Sequence, residues 1–150
     1  GLIYMGLNYS SLITGLIVSQ QTFNTGFSLI IFTGILLMIL DMTLDPIAVD
    51  EGRWSWSKPG SYYGVPLLNF LGWFGTVVVV LSIFFNLVVP VNNAKDVPFL
   101  IQYSPSVLIA ILPAIAARPC YERGLKIPGH IGLLFSSMLM VIMVLKYMSL

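Results

Sequence analysis

Residues 36–77 read LLMILDMTLDPIAVDEGRWSWSKPGSYYGVPLLNFLGWFGTV. An apolar run carries Asp41 and Asp45 at its end, a loop crowded with tryptophan, tyrosine and glycine follows, and a second apolar run begins after Pro66. If the runs are membrane helices, each aspartate costs roughly 2.5–3.5 kcal/mol at mid-bilayer and less near a helix end. Two acids in such a place need a reason, and the first question is whether the runs cross a membrane.

Composition says they do. The chain has 150 residues, 57% hydrophobic and 9% charged, with a mean hydropathy of +0.93, whereas soluble domains carry roughly a quarter of their residues as charges. A spanning helix needs about 20 mostly apolar residues, and stretches near 2–18, 26–44, 67–89, 98–117 and 129–148 qualify. The expected fold is therefore all-α, a polytopic integral membrane protein with about five transmembrane helices in one helical membrane domain, residues 1–150. Because Gly1 leads straight into the first run, the chain is expected to be the C-terminal part of a longer protein.

Outward from the quoted stretch, prolines punctuate the runs. Pro46 lacks a backbone donor and disfavours helical geometry in the residue before it, so the second span is expected to stop at Asp45. Pro66 suits the first position of the third span and Pro90 closes it, while Pro105 and Pro113 are expected to kink the fourth. Asn8, Ser10, Ser11 and Thr14 suit a first span packed against other helices. The loops at 46–66 and 118–128 hold Arg53, Lys58, Arg118, Arg123 and Lys126, against Lys95 and Lys146 on the opposite side. By the positive-inside tendency both loops are expected in the cytoplasm of a multi-pass cell-membrane protein.

Several function classes drop out. A net charge of +1 with scattered basic residues gives no phosphate-tracking patch, so no nucleic-acid partner is expected. One cysteine, Cys120, and one histidine, His130, offer neither a disulfide nor a cysteine or histidine metal cluster, and no metal site is expected.

Asp41 and Asp45 lie one helical turn apart, which puts both carboxyls on one face with their β-carbons about 6 Å apart. Two acids this close in a low-dielectric setting are expected to share a proton and titrate as a unit, a device suited to general acid chemistry on an oily substrate. The plain alternative is that Asp45 ends a helix in headgroup water while Asp41 pairs with Arg53, Arg118 or Arg123. Trp54, Trp56, Tyr62 and Tyr63 crowd the loop, and Asn69 and Trp73 follow within the third span. Aromatic residues at this depth commonly form an interfacial belt. A belt does not need Gly52, Pro59, Gly60, Gly64 and Pro66 between them, a pattern that folds a loop into tight turns able to cap a cavity.

The string LDPIAVDEGRWSWSKPGSYYGVPLLNFLGW, residues 44–73, resembles the carotenoid biosynthesis membrane protein family of the carotenoid 1',2'-hydratase and bisanhydrobacterioruberin hydratase type. Asp-Pro, Trp-x-Trp, Tyr-Tyr-Gly-x-Pro and Asn-Phe-x-Gly-Trp occur together and in order, and the likeness is strongest from Asp41 to Trp73. Members are generally longer, with more spans ahead of this region. The resemblance implies addition of water across the terminal double bond of a linear carotenoid, giving a tertiary alcohol, with no redox cofactor. The implied partners are the polyene, water and the bilayer, with other membrane enzymes of the pathway nearby. On that reading Asp41 or Asp45 is the acid and the other its partner or the base for water. Trp54, Trp56, Tyr62, Tyr63 and Trp73, with Asn69 among them, line the substrate site, where aromatic faces shield a passing cation.

Two other classes compete. A magnesium-dependent membrane prenyltransferase would use Asp41-Met-Thr-Leu-Asp45 to hold a metal against a diphosphate, but needs a second such motif, and Asp50, Glu51, Asp96 and Glu122 do not make one in a span. A proton-coupled transporter or structural membrane subunit would use the pair as a relay, with no further buried charge in the spans to continue it.

Overall fold

In hydrocarbon every backbone N–H and C=O must find its partner within the protein, which leaves the long apolar runs little choice but helix. The computed structural model describes residue 3, residues 24–87 and residues 99–148. It contains α1 (Asn24–Asp50), α2 (Leu67–Leu87), α3 (Phe99–Glu122) and α4 (Lys126–Met148). All four are long and apolar enough to cross a membrane, and among the described residues no strand longer than an isolated bridge forms. The protein is thus an all-α polytopic membrane protein. The expected span at 2–18 lies, apart from residue 3, outside the described residues.

α3 and α4 form a tight antiparallel hairpin, α1 packs against both, and α2 leans principally on α1. Leu36, Leu37 and Leu40 of α1 meet Val77 and Leu81 of α2, Ile109 and Ala110 of α3, and Phe135 and Leu139 of α4 in one buried cluster. Gly132 lets α4 approach closely: a β-carbon there would stand 2.6 Å from the Pro113 carbonyl oxygen and 2.9 Å from the Thr43 side chain. Among the described residues much of α2 has no helix against it, and Leu68, Leu71, Trp73, Val79, Ile83 and Leu87 are exposed.

Two expected boundaries are corrected. α1 does not stop at Asp45 but runs through Pro46 to Asp50, with Pro46 fully buried. Proline removes one helical donor, and a helix survives that loss where another group supplies the hydrogen bond. Here Tyr62 Oη donates to the carbonyl of Met42, four residues before the proline, at 3.0 Å. Likewise α3 extends to Glu122 with Pro105, Pro113 and Pro119 inside it, and α4 starts at Lys126, so the expected loop at 118–128 shrinks to a turn around Gly124.

Candidate functional site

Extending α1 past Pro46 puts Asp41 and Asp45 inside a helix rather than at its frayed end. Asp45 is 5% exposed and Asp41 is half-buried. Both reach Asn69, in the first turn of α2, whose Nδ2 donates to Asp41 Oδ2 at 3.0 Å and to Asp45 Oδ2 at 2.6 Å. A carboxamide nitrogen has two hydrogens, so one amide serves both acids. The shared donor brings the two carboxyls together. This arrangement follows from the sequence once α1 and α2 cross here: positions 41 and 45 share a face, and the loop returns the chain so that Asn69 meets that face.

The arginines do not neutralise the pair. Arg123 bonds Glu51 at 2.5 Å and lies 3.4 Å from Asp50, Arg53 pairs with Glu51, and Arg118 pairs with Glu122 at 2.8 Å. All of these sit at the helix ends, one or more turns beyond Asp45. The plain alternative of an aspartate–arginine pair at Asp41 is therefore not what the structure contains.

The returning loop is a small hairpin. Gly60 pairs with Gly64 and Tyr62 with Val65, with Val65 N donating to Tyr62 O at 2.9 Å. Tyr63 and Gly64 take φ of 50° and 83°, the left-handed pair of a primed turn. Glycine adopts this freely; tyrosine does so at a cost of order 1 kcal/mol or more. Its ring offsets that cost by packing on the buried cluster of Ile47, Ala116, Cys120 and Leu125, and its hydroxyl accepts from Ile127 N at 3.4 Å in the first turn of α4. The Tyr62 ring meets Tyr63 and Phe70 edge-on, at centroid distances of 5.3 and 5.5 Å. Burial pushes the Tyr62 hydroxyl up to about 12, so it remains a donor at every ordinary pH.

Beside Asn69 opens an apolar cleft of about 650 Å³ lined by Trp56, Pro66, Leu68, Asn69, Gly72, Trp73 and Thr76. Asn69 belongs both to its wall and to the carboxyl pair. Of the aromatic residues singled out in the sequence, Trp56 and Trp73 face this cleft, Tyr62 and Tyr63 turn inward to clasp α1 and α4, and Trp54 stands 48% exposed away from both groups. Leu68, Gly72 and Thr76 are not singled out by the sequence, although with Asn69 and Trp73 they follow the three- and four-residue spacing of one helix face. Among the described residues no three His, Cys, Asp or Glu side chains gather as a metal-ligand set.

Four membrane helices, a carboxyl pair bridged by one amide and an aromatic cleft at its edge define a polytopic membrane protein whose polar chemistry is concentrated on one helix pair. Over residues 1–144 the sequence matches the family described as carotenoid biosynthesis protein, and the chain belongs to that family. A segment of 69 residues is 38% identical to a bisanhydrobacterioruberin hydratase of Haloarcula japonica, covering 44% of this chain and 23% of that protein. The similarity thus spans about a quarter of that relative's length. No solved structure matches the chain.

Proposed function

We propose that this protein adds water to the terminal carbon–carbon double bond of an acyclic carotenoid end group, with Asp41 and Asp45 as a one-proton acid centre. The observation that carries this reading is the Asn69 amide, which binds both carboxyls and forms part of the wall of an apolar cleft. Asn69 donates to Oδ2 of each aspartate, so those two oxygens act as acceptors and the shared proton sits on an Oδ1. That proton passes to the less substituted carbon of the double bond, whose π electrons form the new C–H bond and leave a tertiary cation. Water adds its oxygen to the cation and loses a proton to the carboxylate just vacated. The acid is restored, one water is consumed and no electrons change hands.

The cleft suits an end group rather than a whole polyene. Its volume lies in the range of small-ligand sites, and the faces of Trp56 and Trp73 are placed to stabilise a cation by roughly 0.5–2 kcal/mol. The exposed face of α2 leaves the rest of the chain room to lie in the bilayer. The end of the bundle that holds the hairpin and the α3–α4 turn, with its five basic residues, faces the cytoplasm on this reading.

The test is expression of the full-length protein in cells that accumulate an acyclic carotenoid, with mass spectrometry for products one water heavier. Asp41→Asn and Asp45→Asn should each remove the product while the protein stays in the membrane. Full activity in both variants would overturn the acid centre. No product from well-expressed wild type would overturn hydration, and magnesium-dependent release of diphosphate would then favour prenyl transfer.

A further inference from the structure

Pro46 has no amide hydrogen, so the Met42 carbonyl has lost the donor that a regular helix would give it. An unmet carbonyl at membrane depth is unfavourable, because no water is there to replace the lost donor. The donor comes from 20 residues along the chain, where Tyr62 Oη reaches Met42 O at 3.0 Å. The next carbonyl, that of Thr43, receives the Cys120 thiol at 3.6 Å. Both carbonyls opposite the proline are thus met by side chains of other elements.

We propose that Tyr62 is a positioning residue whose hydroxyl stands in for the missing Pro46 amide and thereby holds the turn of α1 that presents Asp41 and Asp45 to Asn69. Met42 lies within that turn, directly after Asp41 and three residues before Asp45. A Met42 carbonyl without a donor would tilt its peptide plane in search of one, and the two carboxyls would no longer meet one amide at 3.0 and 2.6 Å. Tyr62 is itself held from the other side of the site. Its ring packs edge-on against Phe70, the residue that follows Asn69, and against Tyr63, fixed in turn by the hairpin. The hairpin, the proline break and the amide of α2 therefore form one closed mechanical loop around the carboxyl pair. This role differs from the aromatic shielding that the sequence suggests for Tyr62: the ring does not line the cleft and the hydroxyl faces backbone.

The inference rests on the hydration reading for its catalytic readout and on geometry for its structural one, and the two are separable. Tyr62→Phe, Pro46→Ala and the double variant are made in the full-length protein. Pro46→Ala returns an amide hydrogen to the Met42 carbonyl, so the hydroxyl of Tyr62 becomes dispensable in that background. With Pro46 in place, Tyr62→Phe should lower kcat about five- to tenfold, the scale of one lost hydrogen bond, with KM within about twofold. In the Pro46→Ala background the same change should cost less than about twofold. Amide hydrogen exchange across residues 41–50 should accelerate in Tyr62→Phe and be insensitive to that change once Pro46 is replaced. Equal losses in both backgrounds, a loss in KM alone, or unchanged exchange in Tyr62→Phe would each overturn the proposal. If wild type hydrates nothing, or Pro46→Ala fails to fold, the exchange rate of Tyr62→Phe alone decides: acceleration supports the proposal and no change overturns it.

Discussion

Pro46 in α1 and Pro113 in α3 each remove a helical donor inside a spanning segment, and the side chains gathered around the two breaks differ in kind. Around Pro113 the neighbours pack and bond nearby backbone: the Ser136 hydroxyl donates to the Ala110 carbonyl, three residues before the proline, and Gly132 brings α4 against the Pro113 carbonyl. Around Pro46 the same service is done by Tyr62 and Cys120, but Asp41 and Asp45 share the turn and Asn69 bridges them. A proline break in a membrane helix is therefore not itself a site. What separates the two is a pair of acidic side chains that apolar packing does not require, placed beside an apolar cleft.

That contrast breaks first at the acids. Removing either Asp41 or Asp45 is expected to lower hydration by at least a hundredfold, the usual range for a general acid, whereas substitutions around Pro113 should act chiefly through folding. Asn69 comes next. Asn69→Leu keeps the approximate size but donates nothing, so two acids are left without their common donor; the expectation is a loss of about ten- to a hundredfold in kcat with the protein still in the membrane. Asn69→Asp adds a third acid to the pair and should lose as much, while moving the pH dependence of the remaining rate. Product yield against pH for the two variants checks this, and wild-type behaviour in both would show that the bridge is incidental.

How much of this is legible in the sequence follows from what each feature depends on. The four described spans are legible because a run of about 20 apolar residues carries its own reason to be helical. The pairing of Asp41 with Asp45 is legible from the four-residue spacing, and Asn69 and Trp73 are legible as candidates because they fall just inside the next span. The end of α1 is not, because the proline rule is local and the group that overrides it lies 20 residues away. The roles of Tyr62 and Tyr63 are hidden for a related reason. Their directions are set by a primed turn at Tyr63–Gly64, and a non-glycine residue with φ of 50° at its first position is not something composition announces. The double contact of Asn69 depends on the crossing of α1 and α2, which no periodicity in either helix encodes.

Gly132 sharpens the comparison from the other side. Gly132→Val places a branched side chain where the Pro113 carbonyl and Thr43 already stand, and overpacking of this sort costs about 1–3 kcal/mol. The expected outcome is a lower thermal midpoint in detergent and less protein in the membrane and, because Thr43 lies in the turn between Asp41 and Asp45, a severalfold fall in hydration per folded molecule. Unchanged specific activity at lowered stability would show that the contact with α4 supports folding without setting the acid turn.

The smallest effect is expected at the rim. Arg123 joins the end of α1 to the α3–α4 turn, through Glu51 at 2.5 Å and Asp50 at 3.4 Å, and also donates to the Pro119 carbonyl at 3.3 Å. All three charged side chains are partly exposed, and ion pairs of that kind contribute roughly 0–1 kcal/mol, less as salt screens them. Arg123→Ala should therefore lower the thermal midpoint by a few degrees at low salt, with the difference shrinking at high salt, and should leave hydration unchanged. The result matters beyond its size. If Asp41 and Asp45 drew their charge balance from the basic rim, removing this arginine would change the rate and its pH dependence. If they are balanced by each other and by Asn69, as their contacts indicate, the rim is a clasp and the chemistry does not register its loss.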